Sequence, residues 1–273
     1  MFPQPTLEIF LSDPRLISEG SMTDHVRITD EPGGVRLVQL VRPEKKNALT
    51  GAMYDAMREA LEGADREGSG VGAVVFAGSE GVFTAGNDIV DFVARAEASF
   101  GEAPSLRFIR QLAVTRTPMV AAVDGLAVGV GTTLTYHCDL VYVAPAATFR
   151  MPFVDLGLVP EAASSYLLPR RVGLAKATEL LLLGEAYGAD EAVRLGLANA
   201  VVPADGLLEH ALAQGAKLAA KPRQALAAAR RLIRGDHAAV QSAMAAEAEA
   251  FDEALRSPEA QAAFQRFLSR APR

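Results

Sequence analysis

The sequence predicts an α/β fold with a helical C-terminal region, and three observations carry that prediction. Short β-branched runs end at Gly or Pro. Between them, apolar residues recur three and four positions apart, as one face of a helix requires. From about residue 205 the composition shifts to Ala, Leu, Arg, Glu and Gln with helical spacing throughout.

Residues 1–21 read as an N-terminal extension outside the core, because strand-like patterning begins only after Met22, in MTDHVRITDEPGGVRLVQLV. Residues 22–204 read as the core. Val35 to Val41 is a strand broken by Arg42-Pro43. Leu49, Met53, Met57 and Leu61 then share one helix face, with Thr50 placed as its N-cap. Ala73 to Phe76, Met119 to Val123 and Leu140 to Val143 are apolar and short enough for buried strands. Residues 205–273 form a set of helices, broken at Lys221-Pro222, Gly235 and Ser257-Pro258.

Composition narrows the function. Among 273 residues, 27 Lys and Arg stand against 33 Asp and Glu for a net charge of −6, so no sequence-wide positive field exists to hold nucleic acid or an anionic membrane. No apolar run reaches the roughly 20 residues of a membrane span. Cys138 has no second cysteine to pair with, and the four histidines form no zinc spacing with it. A reduced, metal-free, cytoplasmic protein is the expectation.

Three stretches place glycine or a carboxylate where chemistry could sit. Gly81 to Ile89 and Asp124 to Thr133 each follow a strand with a glycine-rich turn, and such turns expose backbone N–H groups able to hold a negative oxygen. Glycine serving a tight turn is the plainer alternative. Neither stretch completes a dinucleotide fingerprint or a P-loop. In the third stretch, Pro152 to Tyr166, Glu161 stands among apolar and small residues. Burial would raise its pKa and make it a general base; alternatively it is a helix-start carboxylate serving the dipole. Ser164 and Ser165 lack the turn and histidine of a nucleophile, and His137-Cys138 is not a credible dyad, since consecutive side chains diverge.

Lys46-Asn47-Ala48-Leu49, then Phe83 to Ile89, then Asp124-Gly125 with Gly129 and Gly131, occur in an order and spacing that resemble the crotonase (enoyl-CoA hydratase/isomerase) superfamily. The resemblance runs from about residue 26 to the C-terminus. It implies a spiral of ββα units, a C-terminal region that assembles homotrimers or dimers of trimers, and an acyl-coenzyme A thioester as substrate, with coenzyme A part of that substrate rather than a separate cofactor. It also implies two backbone N–H groups on the thioester carbonyl, assigned here to Ala85 and Val130.

Hydratases of the family use two glutamates, and the matching positions here are Thr133 and Phe153. Neither transfers a proton at neutral pH. The run Pro160 to Tyr166 instead looks like the peroxisomal-type Δ3,Δ2-enoyl-CoA isomerases, whose single glutamate falls at Glu161. The resemblance further implies Lys45 and Lys46 near the coenzyme A phosphates. Ala48, Asn87, Asp88, Ile89, Phe92, Gly129 and Phe153 would line the substrate. Alternatives are hydration or another reaction of the family, with Asp155 or a further acid, and a non-catalytic acyl-CoA-binding homologue.

Overall fold

The computed structural model describes residues 24–95 and 103–270; the expected extension over 1–21 lies outside them. The chain opens with the hairpin β1 (Val26–Glu31) and β2 (Val35–Leu40), followed by α1 (Gly51–Asp65). Thr50 caps α1 as its sequence position indicates, its side chain accepting from Met53 N–H. Then come β3 (Ala73–Ala77), α2 (Ile89–Arg95), α3 (Pro104–Val114), β4 (Met119–Val123) and β5 (Leu126–Val128). The short α4 (Val130–Thr133) leads to β6 (Leu140–Val143) and β7 (Thr148–Arg150). After these lie α5 (Ser164–Val172), α6 (Leu174–Leu182), β8 (Tyr187–Gly188), α7 (Ala189–Arg194) and β9 (Ala200–Val201). Four helices close the described chain: α8 (Ala204–Ala219), α9 (Arg223–Arg234), α10 (His237–Leu255) and α11 (Pro258–Arg270).

Six strands form one sheet in the order β1-β2-β3-β4-β6-β9, parallel except for the β1–β2 hairpin. β3 and β4 are buried along their whole length, as strands covered on both faces must be. Their side chains alternate between two cores. Val74, Phe76, Ala121 and Val123 face α1 and α3, where Phe76 meets Phe108 edge-on at 6.4 Å. Val75, Ala77, Val120 and Ala122 face α8 through Leu207 and Ala211. A second sheet of β5, β7 and β8 stands beside the first. The turns leaving β3 and β4 run past each other at one edge of this layered core, and the candidate site is built there.

Candidate active site

The site begins with three chain segments that pair outside regular strands. The segment after β2 makes a 3-10 turn over Pro43–Lys45 and passes through left-handed backbone at Lys46 and Asn47, with φ of 51° and 53°. The buried Asn47 side chain holds this shape by accepting from Arg42 N–H at 2.7 Å and donating to the Val82 carbonyl at 2.8 Å. Leu49 N–H then donates to the Gly86 carbonyl at 2.8 Å, and Asp88 N–H to the Leu49 carbonyl at 2.9 Å. On its other side the Phe83 to Asp88 segment pairs with β5: Thr84 N–H to Leu126 at 2.8 Å, Val128 N–H to Thr84 at 3.0 Å.

Two glycines make this approach possible. A Cβ on Gly86, which has φ +85°, would stand 2.7 Å from the Val128 carbonyl oxygen. One on Gly131 would stand 2.5 Å from the Thr84 methyl carbon. Both separations are below any van der Waals contact, so the close approach of the neighbouring backbone at Gly86 and of the Thr84 side chain at Gly131 leaves no room for a Cβ.

This pairing decides which N–H groups remain available, and it corrects one expectation. Ala85 N–H, assigned from the sequence as a carbonyl-binding donor, donates to the Lys46 carbonyl at 2.9 Å and is spent. Two residues later, Asn87 N–H has no acceptor among the described residues. Val130 N–H has none either, because Val130 is the first residue of α4, where a helix leaves its N–H groups unpaired. Asn87 and Val130 are therefore unspent donors on the two adjacent loops.

Glu161 meets the last residue of α4. It is 8% exposed, and burial, reinforced by the nearby Glu247 carboxylate, pushes its pKa up to about 8. Thr133 Oγ1 is 3.5 Å from Glu161 Oε1. Glu161 does not serve a helix start, because α5 begins three residues later and its N-terminus is held by Glu247 instead. The Tyr54 hydroxyl, fully enclosed, feels the charges of Glu161 and Asp91, and it donates to the Asn87 side-chain oxygen. Tyr54, Asn87, Leu49, Asp91, Phe92 and Leu255 are among the residues lining a cavity of about 30 Å³. A larger cavity of about 1000 Å³ lies between α5 and α9, is walled by Arg171, Arg230 and Arg234, and touches none of Glu161, Asn87 and Val130.

The other expected site residues divide. Lys45 and Lys46 are exposed on the loop whose Lys46 carbonyl holds Ala85. Ala48 is half-buried beside them, with its carbonyl taken by Arg42 at 2.9 Å. Phe92 packs edge-on against Phe251 and Phe264, both at 6.2 Å, and with Ile89 lies against the main core. Gly129 precedes Val130 with φ 56° and anchors that loop by donating to the Arg150 carbonyl. Phe153 is buried in the core.

Asp88 is not a free ligand-binding carboxylate. Burial alone would raise its pKa, but the Arg42 guanidinium at 2.7 Å and the N–H groups of Asp91 and Val90 hold it below the usual carboxylate range. It ties Arg42 to the start of α2. Asp155 pairs with Arg150 at 3.0 Å with half its side chain in water, which removes it as a buried acid. Cys138, its thiol pushed up to about 12 by burial, and His137, pushed down to about 4 by burial, form no dyad. Tyr54 and Glu247 were not legible as site residues. Tyr54 shares the buried helix pattern of α1, and Glu247 sits in an Ala-Glu run with every mark of a solvated face.

A family model described as enoyl-CoA hydratase/isomerase matches residues 30–272. The chain belongs to the enoyl-CoA hydratase/isomerase family. It is 39% identical over 183 residues to enoyl-CoA delta isomerase 2 of Rattus norvegicus, covering 65% of this chain and 46% of that one. It is 33% identical over 192 residues to the mitochondrial enoyl-CoA hydratase of Pongo abelii, covering 69% and 65%. Among solved structures, OdaA of Pseudomonas aeruginosa superposes with a TM-score of 0.86 at 41% identity, covering 91% of this chain and all of that one. Membership confirms the crotonase-type α/β fold that the motif order implied. Among the described residues, no helix is long and apolar enough to cross a membrane.

Proposed function

We propose that this family member is an acyl-CoA isomerase that moves a 3-enoyl double bond into conjugation with the thioester. The observation that carries the reading is that Glu161 meets no second acid directly: it is buried with its pKa near 8, and the side chain it touches, at 3.5 Å, is the hydroxyl of Thr133. Phe153, at the other position where hydratases of the family carry glutamate, is buried and apolar. Glu247 is the other buried acid nearby, and both its oxygens are committed to N–H and O–H donors.

A double-bond shift needs one base. Glu161 takes a proton from C2 of the 3-enoyl thioester, and the electron pair moves onto the carbonyl oxygen to give a dienolate. The same carboxyl then returns the proton to C4, the enolate reforms the carbonyl, and the 2-enoyl thioester results. The Asn87 and Val130 N–H groups are the donors for the enolate oxygen. Each such donor is worth about 2.7–4 kcal/mol in an oxyanion site, and backbone donors are indifferent to the side chains that stand there. Lys45 and Lys46 supply local positive charge for the phosphates of coenzyme A on a chain of net charge −6. Trimeric assembly belongs to the same reading, and Leu232 and Ile233, 78% and 84% exposed on α9, are apolar surface that assembly would cover.

The test is conversion of 3-enoyl-CoA to 2-enoyl-CoA by wild type and Glu161→Gln, with hydration of 2-enoyl-CoA followed in parallel. The variant is expected to lose roughly 10²–10⁴-fold in kcat. Equal turnover by both proteins, or hydration faster than isomerisation, overturns the proposal.

A further inference from the structure

Glu161 is followed by two consecutive alanines in left-handed backbone, Ala162 with φ 58° and Ala163 with φ 55°. A side chain disfavours that region, and two such residues in succession persist only where surrounding contacts hold them. The holders are identifiable. His137 Nε2 lies 2.8 Å from the Ala162 carbonyl; since a carbonyl only accepts, Nε2 carries the proton. Eighty-four residues along the chain, Glu247 of α10 accepts from Ala163 N–H at 2.6 Å. Its other oxygen accepts from Ser165 N–H at 2.9 Å and from the Ser165 hydroxyl at 2.5 Å. Glu247 is itself only 8% exposed. A buried carboxylate with three donors, reaching in from the C-terminal helices onto the turn beside Glu161, is too costly to bury to be a chance surface contact.

We propose that Glu247 is a positioning residue for Glu161, its carboxylate clamping the left-handed Ala162–Ala163 turn that follows Glu161 and so fixing where that side chain stands. This rests on Glu161 being the base of the proposed reaction. The clamp has a second effect, because a negative charge this close disfavours ionisation of Glu161 and adds to the effect of burial. Three other polar groups bear on the same turn and carboxyl: Tyr54 from α1, Thr133 from α4 and His137, the last through the Ala162 carbonyl. None of them places a full negative charge beside Glu161.

The experiment is the pH dependence of kcat/KM for 3-enoyl-CoA isomerisation in wild type and Glu247→Gln. Wild type should rise to a plateau above about pH 8, where Glu161 ionises. In Glu247→Gln the midpoint should move toward acid by about one pH unit, with KM within roughly twofold. A midpoint that stays in place while activity falls evenly at every pH shows a merely structural role and overturns the proposal.

Carbon-13 NMR of glutamate-labelled wild type covers the cases in which the variant misfolds or no turnover is found. The Glu247 carboxyl resonance should inflect at the Glu161 titration and lose that inflection in Glu161→Gln. A Glu247 resonance indifferent to Glu161 overturns the proposal. An inflection without isomerase turnover overturns the assigned reaction and leaves the clamp standing.

Discussion

The Tyr54 hydroxyl donates to the side-chain oxygen of Asn87, a residue whose own N–H has no acceptor among the described residues. The bond crosses from α1 to the turn after β3 and fixes a residue that no strand or helix holds. Tyr54 also packs at 5.7 Å against Phe108, so its ring is set by the core while its hydroxyl reaches the site.

Tyr54→Phe therefore separates the two roles. The ring contact survives and the hydrogen bond is lost. We expect kcat to fall roughly fivefold, KM to stay within about twofold and the melting temperature to change little, since one such bond is worth about 1 kcal/mol. Steady-state kinetics with a thermal melt checks this, and an unchanged kcat removes Tyr54 from the site.

Gly86→Ala should damage both stability and turnover. The new methyl meets the Val128 carbonyl at 2.7 Å in a backbone conformation with φ +85°, so the two loops must part. A loss of about 1–3 kcal/mol in urea unfolding is expected, together with loss of isomerisation. Val130→Gly, which leaves the N–H in place, should retain most of the activity.

The buried acid makes stability depend on pH with a defined sign. Glu161 titrates near 4.5 when unfolded and near 8 when folded, so folding favours its neutral form. The stability this contributes is present below pH 4.5 and is lost as pH rises through 8. Glu161→Gln, neutral throughout, should exceed wild type by about 2–4 kcal/mol at pH 8.5 and match it below pH 5. Urea unfolding at the two pH values decides the point.

His137 acts in the opposite sense. Burial lowers its folded pKa from 6.5 to about 4, so its contribution is present above pH 6.5 and disappears as pH falls toward 4. Wild type should lose about 2–3 kcal/mol over that interval. His137→Gln, which can still donate to the Ala162 carbonyl, should show a flatter acid limb in the same unfolding series.

Much of the fold was legible from residue pattern. Met119 to Val123 and Leu140 to Val143 are strands with the expected bounds, Thr50 caps α1, and each break at Pro222, Gly235 and Pro258 separates two helices. Proline and glycine act on their own backbone, so their effect is local and readable. Glu161 was singled out by the resemblance to the isomerases; by its own neighbours it read equally as a helix-start carboxylate, because burial is not a property of the flanking residues. The donor in the first glycine turn was misplaced by two residues. Which amide is free depends on the Lys46 carbonyl, 39 residues away, that takes the hydrogen of Ala85.

By itself the sequence determined the strand and helix alternation, the two glycine turns and the lone acid, because backbone preference and hydrophobic period are properties of neighbouring residues. Only the tertiary structure decided that Asn87 rather than Ala85 keeps a free N–H, that Tyr54 steadies it, and that Glu247 grips the turn beside Glu161. Each of these is a hydrogen bond between groups more than 30 residues apart, and such a bond exists only once packing has brought donor and acceptor within 3 Å.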